Sequence, residues 1–461
     1  MNKILEKSAQ YNKMSDMPVK KLVGSLAVPT IISMMVSSIY NMADTFFVSK
    51  LGTSASGAIG IVFSLMAIIQ AVGFTLGMGA GTAVSRLLGQ QKKNEAESVA
   101  CSALSAAAVL GLTVSVFGLI FVTPLMRLLG STETILPFAI EYGKYILIAA
   151  PLMTMTFVLN NLLRSEGKAK LSMVGITSGS ILNIILDPVF IFTLDMGITG
   201  AAIATAVGQA VSLIILFGCF ISGKSGLKLS FKKISTSPMT YLMIIRNGLP
   251  SFCRQGLASM SGVMLNHVAA AYGDPAVAAI SVSNKVFMMI FSLLIGFGQG
   301  YQPVAGYNYG ASKYKRVKEA MLFNLTTGFI MMGSIAAAVY FFAPHIITWF
   351  IGDDPEVIRI GTQALRFHCI TLPFMPINVT ANMTFQSIGK AFTATFLSAF
   401  RQGIFFVPSV LILPKLLGLN GVTGVQPASD LLSSLVSLPF LIHFIKKLNE
   451  LVREEESIRN A

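Results

Sequence analysis

The chain has 461 residues, of which 54% are hydrophobic and only 12% charged, with a mean hydropathy of +0.71. Soluble domains carry about 25% charged residues, so this composition excludes an ordinary soluble enzyme and points to a protein folded in lipid. The net charge of +14 would suit a nucleic-acid partner, but its placement does not: most Lys and Arg fall in alternate loops, the positive-inside pattern of a polytopic membrane protein.

The apolar runs are long enough for helical spans, which need about 20 residues, and they lack the alternation of a membrane β-barrel. The polar, basic start of the chain shows no short apolar core followed by a small-residue cleavage site, so the first span is expected to be retained. Twelve spans are predicted, near 21–48, 54–84, 95–125, 136–163, 170–194, 197–221, 240–270, 276–307, 316–345, 357–386, 391–416 and 419–445. Short turns such as "LGTSAS", "DMGITG", "YGDPA" and "LGLNG" separate them. Basic residues cluster in the N-terminal tail, at 86–93, 164–170, 224–233 and 313–318, at Lys390 and in the C-terminal tail, which predicts that both termini are cytoplasmic. Cys101, Cys219, Cys253 and Cys369 have no pair spacing and read as small core residues, not as disulfides or a metal site.

In span 1, Ser33, Ser37, Tyr40, Asn41 and Asp44 recur at helical spacing and share one face. An Asp at the bilayer centre costs about 2.5–3.5 kcal/mol, so Asp44 is expected to face a cavity or a partner, the alternative being a side chain that reaches the outer interface. In span 2, Gly73, Gly77 and Gly81 make a GxxxGxxxG face for helix packing, with no strand before it and no P-loop lysine after it. Span 5 carries "SILNIILDPVF", which stacks Asn183 one turn before Asp187 and places Pro188 directly after. The proline leaves a carbonyl in the preceding turn without its donor. An amide oxygen, a carboxylate and a freed carbonyl are hard ligands suited to Na⁺ or a shared proton; the alternative is a structural kink with its own polar residues. In span 6, Gly200, Ala204, Gly208 and Ser212 form a small-residue stripe for close helix approach. Thr205 lies beside it and, taken alone, is expected to bond a carbonyl of its own helix.

The two halves repeat. A shift of 221 superposes Pro29 on Pro250, Gly52 on Gly273, Gly79 on Gly300, Gly89 on Gly310 and Lys92 on Lys313. The predicted organisation is an N-terminal lobe at 1–222, a basic cytoplasmic linker at 223–239 and a C-terminal lobe at 240–461. Each lobe has an even number of spans, so the repeats are parallel, with ligand sites expected near their interface and alternating access as the natural mechanism. The second half does not copy the carboxylates: Leu265 falls where Asp44 would, and the prominent polar groups are Arg254 with Gln255 in span 7 and Arg401 with Gln402 in span 11. These read first as a structural network and second as an anion or substrate contact. His267 and Lys285 raise the same question, a lone His being more often a bonded core residue than a proton relay. No Walker motif and no Ser/His/Asp, HExxH or Cys/His cluster supports ATP driving or an enzyme. The abundant Met and Phe suit a promiscuous apolar pocket but also lipid-facing surface.

The span count, the paired lobes, "ADTFFVSKLG" in span 1 and the block "AISVSNKVFMMIFSLLIGFGQGYQPVAGYNYGA" at 279–311 resemble the multidrug and toxic compound extrusion (MATE) family, most closely its MepA-like and DinF-like bacterial branch. The resemblance covers nearly the whole chain. It implies an all-α fold of twelve transmembrane helices in two pseudo-symmetric lobes, in a bacterial cytoplasmic membrane, and a monomer. It implies exchange of small-molecule drugs or lipophilic cations for H⁺ or Na⁺, with no other cofactor or metal. The matching cation-site residues are Asp44, Asn183, Asp187 and Thr205, which raises Thr205 above its reading alone. Asp44 and Asp187 would then titrate as a coupled pair. Substrate contacts would fall near Ser37, Tyr40, Thr156 and Asn160. The acidic residue that the NorM-like branch carries in span 7 is missing, a departure that puts a C-lobe cation site in doubt. A lipid-linked saccharide flippase of the same superfamily is the competing reading; it would want a strongly cationic cavity and often further spans.

Overall fold

The computed structural model describes residues 13–351 and 354–460. Helices account for nearly all of them, arranged as twelve membrane-length segments: α1 Val19–Ser49, α2 Thr53–Gly89, α3 Lys93–Ile120 with a short continuation Val122–Leu128, α4 Leu136–Ser165, α5 Ala169–Pro188, α6 Gly197–Ile221, α7 Pro238–Ala270, α8 Asp274–Gly310, α9 Tyr314–Ile351, α10 in two pieces, Pro355–Thr371 and Met375–Ser387, α11 in two pieces, Ala391–Ala399 and Phe406–Leu417, and α12 Leu419–Asn460. The predicted spans all appear, most of them extended by a few residues. Ten of these segments are long and apolar enough by themselves to cross a membrane. The other two have clear reasons to fall short: α7 carries Arg246, Asn247, Arg254 and Gln255, and α10 is broken by a 3₁₀ turn at Leu372–Phe374.

Helix ends follow local chemistry. Gly52 and Gly273 precede α2 and α8 at φ 117° and 90°, backbone that L side chains rarely adopt. They are the same position in the two repeats. Asp354 caps the N-terminus of α10, its carboxylate accepting from the Glu356 and Val357 amides.

Small residues set how closely the helices pack. A side chain at Gly73, Gly77 or Gly81 would meet Phe157 and Asn161 of α4, so the GxxxGxxxG face is a packing seam within the first lobe. Gly179 of α5 and Gly208 of α6 likewise let those backbones touch. Between the lobes the repeat shows itself in contacts. Gly79 of α2 abuts Ile244 and Gly248 of α7, while Gly300 of α8 abuts Ala27 of α1. Ala27 and Gly248, like Gly79 and Gly300, occupy equivalent repeat positions, so the two crossings are images of each other. Gly89 and Gly310 are also equivalent, and they pack on opposite partners at one α2–α8 crossing: a Cβ on Gly89 would meet the Tyr307 carbonyl, one on Gly310 the Arg86 carbonyl. This crossing therefore lies on the pseudo-two-fold axis.

Polar groups reinforce the same end of the interface. Ser85 Oγ donates to the Pro303 carbonyl at 2.9 Å and Arg86 Nη1 to the Ser387 carbonyl at 2.8 Å, both across the lobes; within the second lobe Gln302 Nε2 donates to Gln386 Oε1 at 3.0 Å. Arg164 of α4 bridges to Gln299 of α8 and holds Asn161 Oδ1 at 2.6 Å. The basic segment after α6 lies against the first lobe, because Glu166 accepts from Ser225 Oγ and the Gly226 amide and Glu97 accepts from the Lys228 amide.

Candidate functional site

The first candidate site lies inside the N-terminal lobe, where α1, α4, α5 and α6 converge. Asp44 is 7% exposed and its side chain lies inside the helix bundle. Its Oδ2 accepts from the Tyr142 hydroxyl of α4 at 3.1 Å, and its Oδ1 is buried without a partner. On α5, Asn183 and Asp187 stack as their spacing requires; Asn183 Nδ2 donates to Asp187 Oδ1 at 3.4 Å and to Thr205 Oγ1 of α6 at 3.3 Å. Thr205 is thus drawn across to α5, which corrects the reading of it as a hydroxyl bonded within its own helix. Asp187 is fully buried, and its Oδ2 and Asn183 Oδ1 have no donor. Tyr40 is buried beside both carboxylates and Thr205.

Pro188 explains why this can happen mid-helix. It ends the regular part of α5, and the chain continues as a π turn over Val189–Thr193, closed by the Leu194 amide on the Val189 carbonyl at 2.9 Å. Such π segments re-aim side chains and are common at functional sites. The close Gly179–Gly208 approach then brings α6 near enough for Thr205 to meet Asn183.

Among the described residues neither carboxylate has a salt-bridge partner. Three buried acceptor oxygens, on Asp44, Asn183 and Asp187, are left without donors. Leaving one such group unsatisfied costs about 1–3 kcal/mol and more for a charge. A proton shared by the carboxylates, or a small hard cation among the oxygens, removes that cost.

Of the expected substrate contacts, only Tyr40 joins this cluster. Ser37 is half-buried, Thr156 is buried with its hydroxyl unpartnered, and Asn160 Oδ1 accepts from Ser172 of α5, a tie between helices. Sequence reasoning missed Tyr142. It sits in "EYGKY" with nothing to set it apart until α4 packs on α1.

The second cluster lies in the C-terminal lobe. Arg401 and Gln402 ride on a π turn, Phe400–Ile404, in the middle of α11. Arg401 Nε donates to Asp430 Oδ1 of α12 at 2.7 Å, Gln426 Nε2 donates to the same oxygen at 2.8 Å, and the Arg401 guanidinium stands 4.2 Å from the Phe291 ring centroid. Arg254 reaches Asn382 Oδ1 at 3.4 Å. The expected network including Gln255 and the Gln402 amide does not form. No hydrogen bond ties the Gln255 side chain to it among the described residues, and Gln402 contributes its backbone carbonyl, which accepts from Ser261 Oγ at 2.8 Å. Asp430 was missed, although it is a lone carboxylate in an apolar run, the same signal that singled out Asp44. His267 and Lys285 are exposed side chains and belong to neither cluster; the expectation of a bonded core histidine at 267 fails.

One helical fold with an oxygen-lined site in one lobe and an arginine-rich one in the other can be compared with known proteins. The chain matches the MatE family over residues 29–189 and 250–412, one segment in each half. It belongs to that family. Members with solved structures are transporters, and this MatE protein is read as a transporter, not an enzyme. It is 27% identical over 417 residues to the multidrug export protein MepA of Staphylococcus haemolyticus, covering 90% of this chain and 92% of the relative. The MepA of Staphylococcus aureus MSSA476 is 28% identical over 408 residues, covering 88% of this chain and 89% of the relative. Among solved structures, MATE in complex with MaL6 superposes with a TM-score of 0.90 at 28% identity over 95% of this chain and 99% of that one. An outward-facing multidrug resistance MATE transporter of the MOP superfamily superposes at 0.89, with 29% identity over 94% and 97%. The two-lobed, all-α membrane architecture of this MatE protein is therefore that of the family.

Proposed function

We propose that this MatE protein exports small amphiphilic molecules across a bacterial cytoplasmic membrane in exchange for H⁺ or Na⁺, acting as a monomer with both termini inside. The observation that carries the reading is the N-lobe cluster: Asp44, Asn183, Asp187 and Thr205 converge, three of their oxygens lack donors, and among the described residues no basic side chain neutralises them. The names of the MepA relatives support multidrug cargo. The glycine crossings and polar contacts near the basic loops support a state closed on the cytoplasmic side.

In this reading a cation enters from outside and satisfies the orphaned oxygens. The cluster then tightens, and the lobes shift toward releasing the exported molecule. On the inside the cation leaves, the carboxylates repel one another again, and the cavity is restored for the next molecule. A ligand moves such an equilibrium only by its differential affinity for the two states, which the cluster provides through groups that are unsatisfied in one state.

The test is efflux of a fluorescent lipophilic cation from proteoliposomes under a pH gradient or a Na⁺ gradient imposed separately. One of the two is expected to drive efflux, and Asp44→Asn is expected to fold and to abolish it. Normal efflux by the variant, or movement indifferent to both gradients, would overturn the proposal.

A further inference from the structure

A buried guanidinium (Arg401), a half-buried one (Arg254) and one carboxylate share the C-lobe cluster, and its charges do not balance. Arg254 and Arg401 each carry one positive charge, Asp430 one negative charge, and the two arginines lie close enough to repel. Among the described residues nothing else ionic lines the cleft: His368 packs on Phe287, and the remaining lining is amide, hydroxyl or apolar. Both arginines line one narrow cleft with Phe291, Asn378, Asn382 and Gln402. Among the described residues, Arg401 uses only Nε, on Asp430, and its two Nη groups make no hydrogen bond. Arg254 makes a single long one, at 3.4 Å. A structural arginine pair in low dielectric would be expected to spend its donors, since unpaired buried charge is costly. Here the donors are held out toward the cleft, and the π turn at Phe400–Ile404 is what presents Arg401 there.

We infer that the C-lobe cleft, which in this state has room for about one water, is an oxyanion subsite: in a more open state Arg254 and Arg401 receive a singly charged carboxylate or phosphodiester group of an amphiphilic ligand whose apolar body lies on Phe291 and Ile295. One negative charge cancels the surplus, and the planar forks suit a flat oxyanion better than lysines would. The inference rests on the export reading only in naming the ligand as cargo. It divides the labour between lobes: the N-lobe oxygens take the cation, and the C-lobe guanidiniums take the acidic group. Cargo bearing an acid group would then be preferred over a plain cation, and masking that acid group should weaken it.

The experiment compares a zwitterionic rhodamine bearing a free carboxylate with its methyl ester, a cation of the same body. Binding is measured by fluorescence anisotropy on the full chain in neutral-lipid nanodiscs, without any gradient. Wild type is expected to bind the acid about 10-fold or more tightly than the ester, the worth of charge-assisted hydrogen bonds to one group. Arg254→Gln is expected to erase that preference by weakening the acid alone, and Arg254→Lys to restore part of it. Equal binding of acid and ester by wild type, or equal loss of both in Arg254→Gln, would overturn the subsite; the wild-type comparison stands even if the variant does not fold. Repeating the measurement with phosphatidylglycerol separates the sources. Displacement of the acid by that lipid assigns the oxyanion to a headgroup, whereas an undisturbed acid assigns it to soluble cargo, and either result supports the subsite. If proteoliposome efflux fails while the acid preference persists, the export reading falls and the subsite remains; efflux that treats acid and ester alike has the opposite meaning.

Discussion

Asp430 accepts from both Arg401 and Gln426 through one oxygen and keeps the other unpartnered. Converting it to Asn leaves the Arg401 cation buried without its counter-charge. Breaking a buried pair from one side costs about 3–5 kcal/mol, whereas replacing both partners is often near neutral. Asp430→Asn should therefore lower the thermal midpoint in detergent markedly, and the Arg401→Gln/Asp430→Asn double variant should recover most of the loss. A double variant no more stable than the single would mean that the pair does not act as an ion pair. Asp44 and Asp430 make an instructive contrast in legibility. Both are lone carboxylates in apolar runs, but Asp44 has polar neighbours at helical spacing and a matching Asn/Asp turn in span 5. Asp430 depends on Arg401, 29 positions away on another helix. Tyr142 is harder still, because only the packing of α4 on α1 turns an ordinary aromatic residue into the donor for Asp44. Residue type and spacing within one helix can be read from a chain; pairing across helices needs the fold.

At the level of elements, the repeat was readable as collinear glycines, and the structure gives those glycines their reason: Gly52 and Gly273 adopt left-handed turn backbone, and Gly79, Gly89, Gly300 and Gly310 are points where backbones of different helices touch. The π turns were not readable. Pro188 marked a break in α5, but "FRQGI" in α11 contains no proline and still forms one. The crossing of α2 with α8 leaves no room for a side chain, since Gly89 and Gly310 each face a carbonyl of the other helix. Gly310→Val places branched carbons against the Arg86 backbone, and overpacking of this kind costs about 1–3 kcal/mol. The strain is relieved if the lobes part at that end. In a background lacking the native cysteines, Ser85→Cys, at a position that is 1% exposed, should then react faster with a soluble maleimide when Gly310→Val is present. Unchanged labelling would show that the crossing tolerates the wedge without opening.

For the whole molecule, the two clusters belong to different lobes, which meet at the interface that the glycines and Ser85, Arg86 and Arg164 close. If the cation and the exported molecule favour opposite arrangements of that interface, linkage demands reciprocity: the factor by which the cation weakens cargo binding equals the factor by which cargo weakens cation binding. Couplings of this kind are typically about 5–150-fold. Titrating cargo at saturating and at vanishing coupling ion should therefore give two dissociation constants whose ratio lies in that range. The cation titration with and without cargo should return the same ratio. Asp44→Asn, with a neutral amide at the cation cluster, should collapse the ratio to one while leaving the cargo site intact. Since Arg254 and Arg401 touch none of the N-lobe oxygens, Arg254→Gln should change cargo affinity without changing the ratio. A cargo affinity indifferent to the coupling ion in the wild type would mean that the clusters do not communicate, and exchange by rocking lobes would have to be abandoned for this protein.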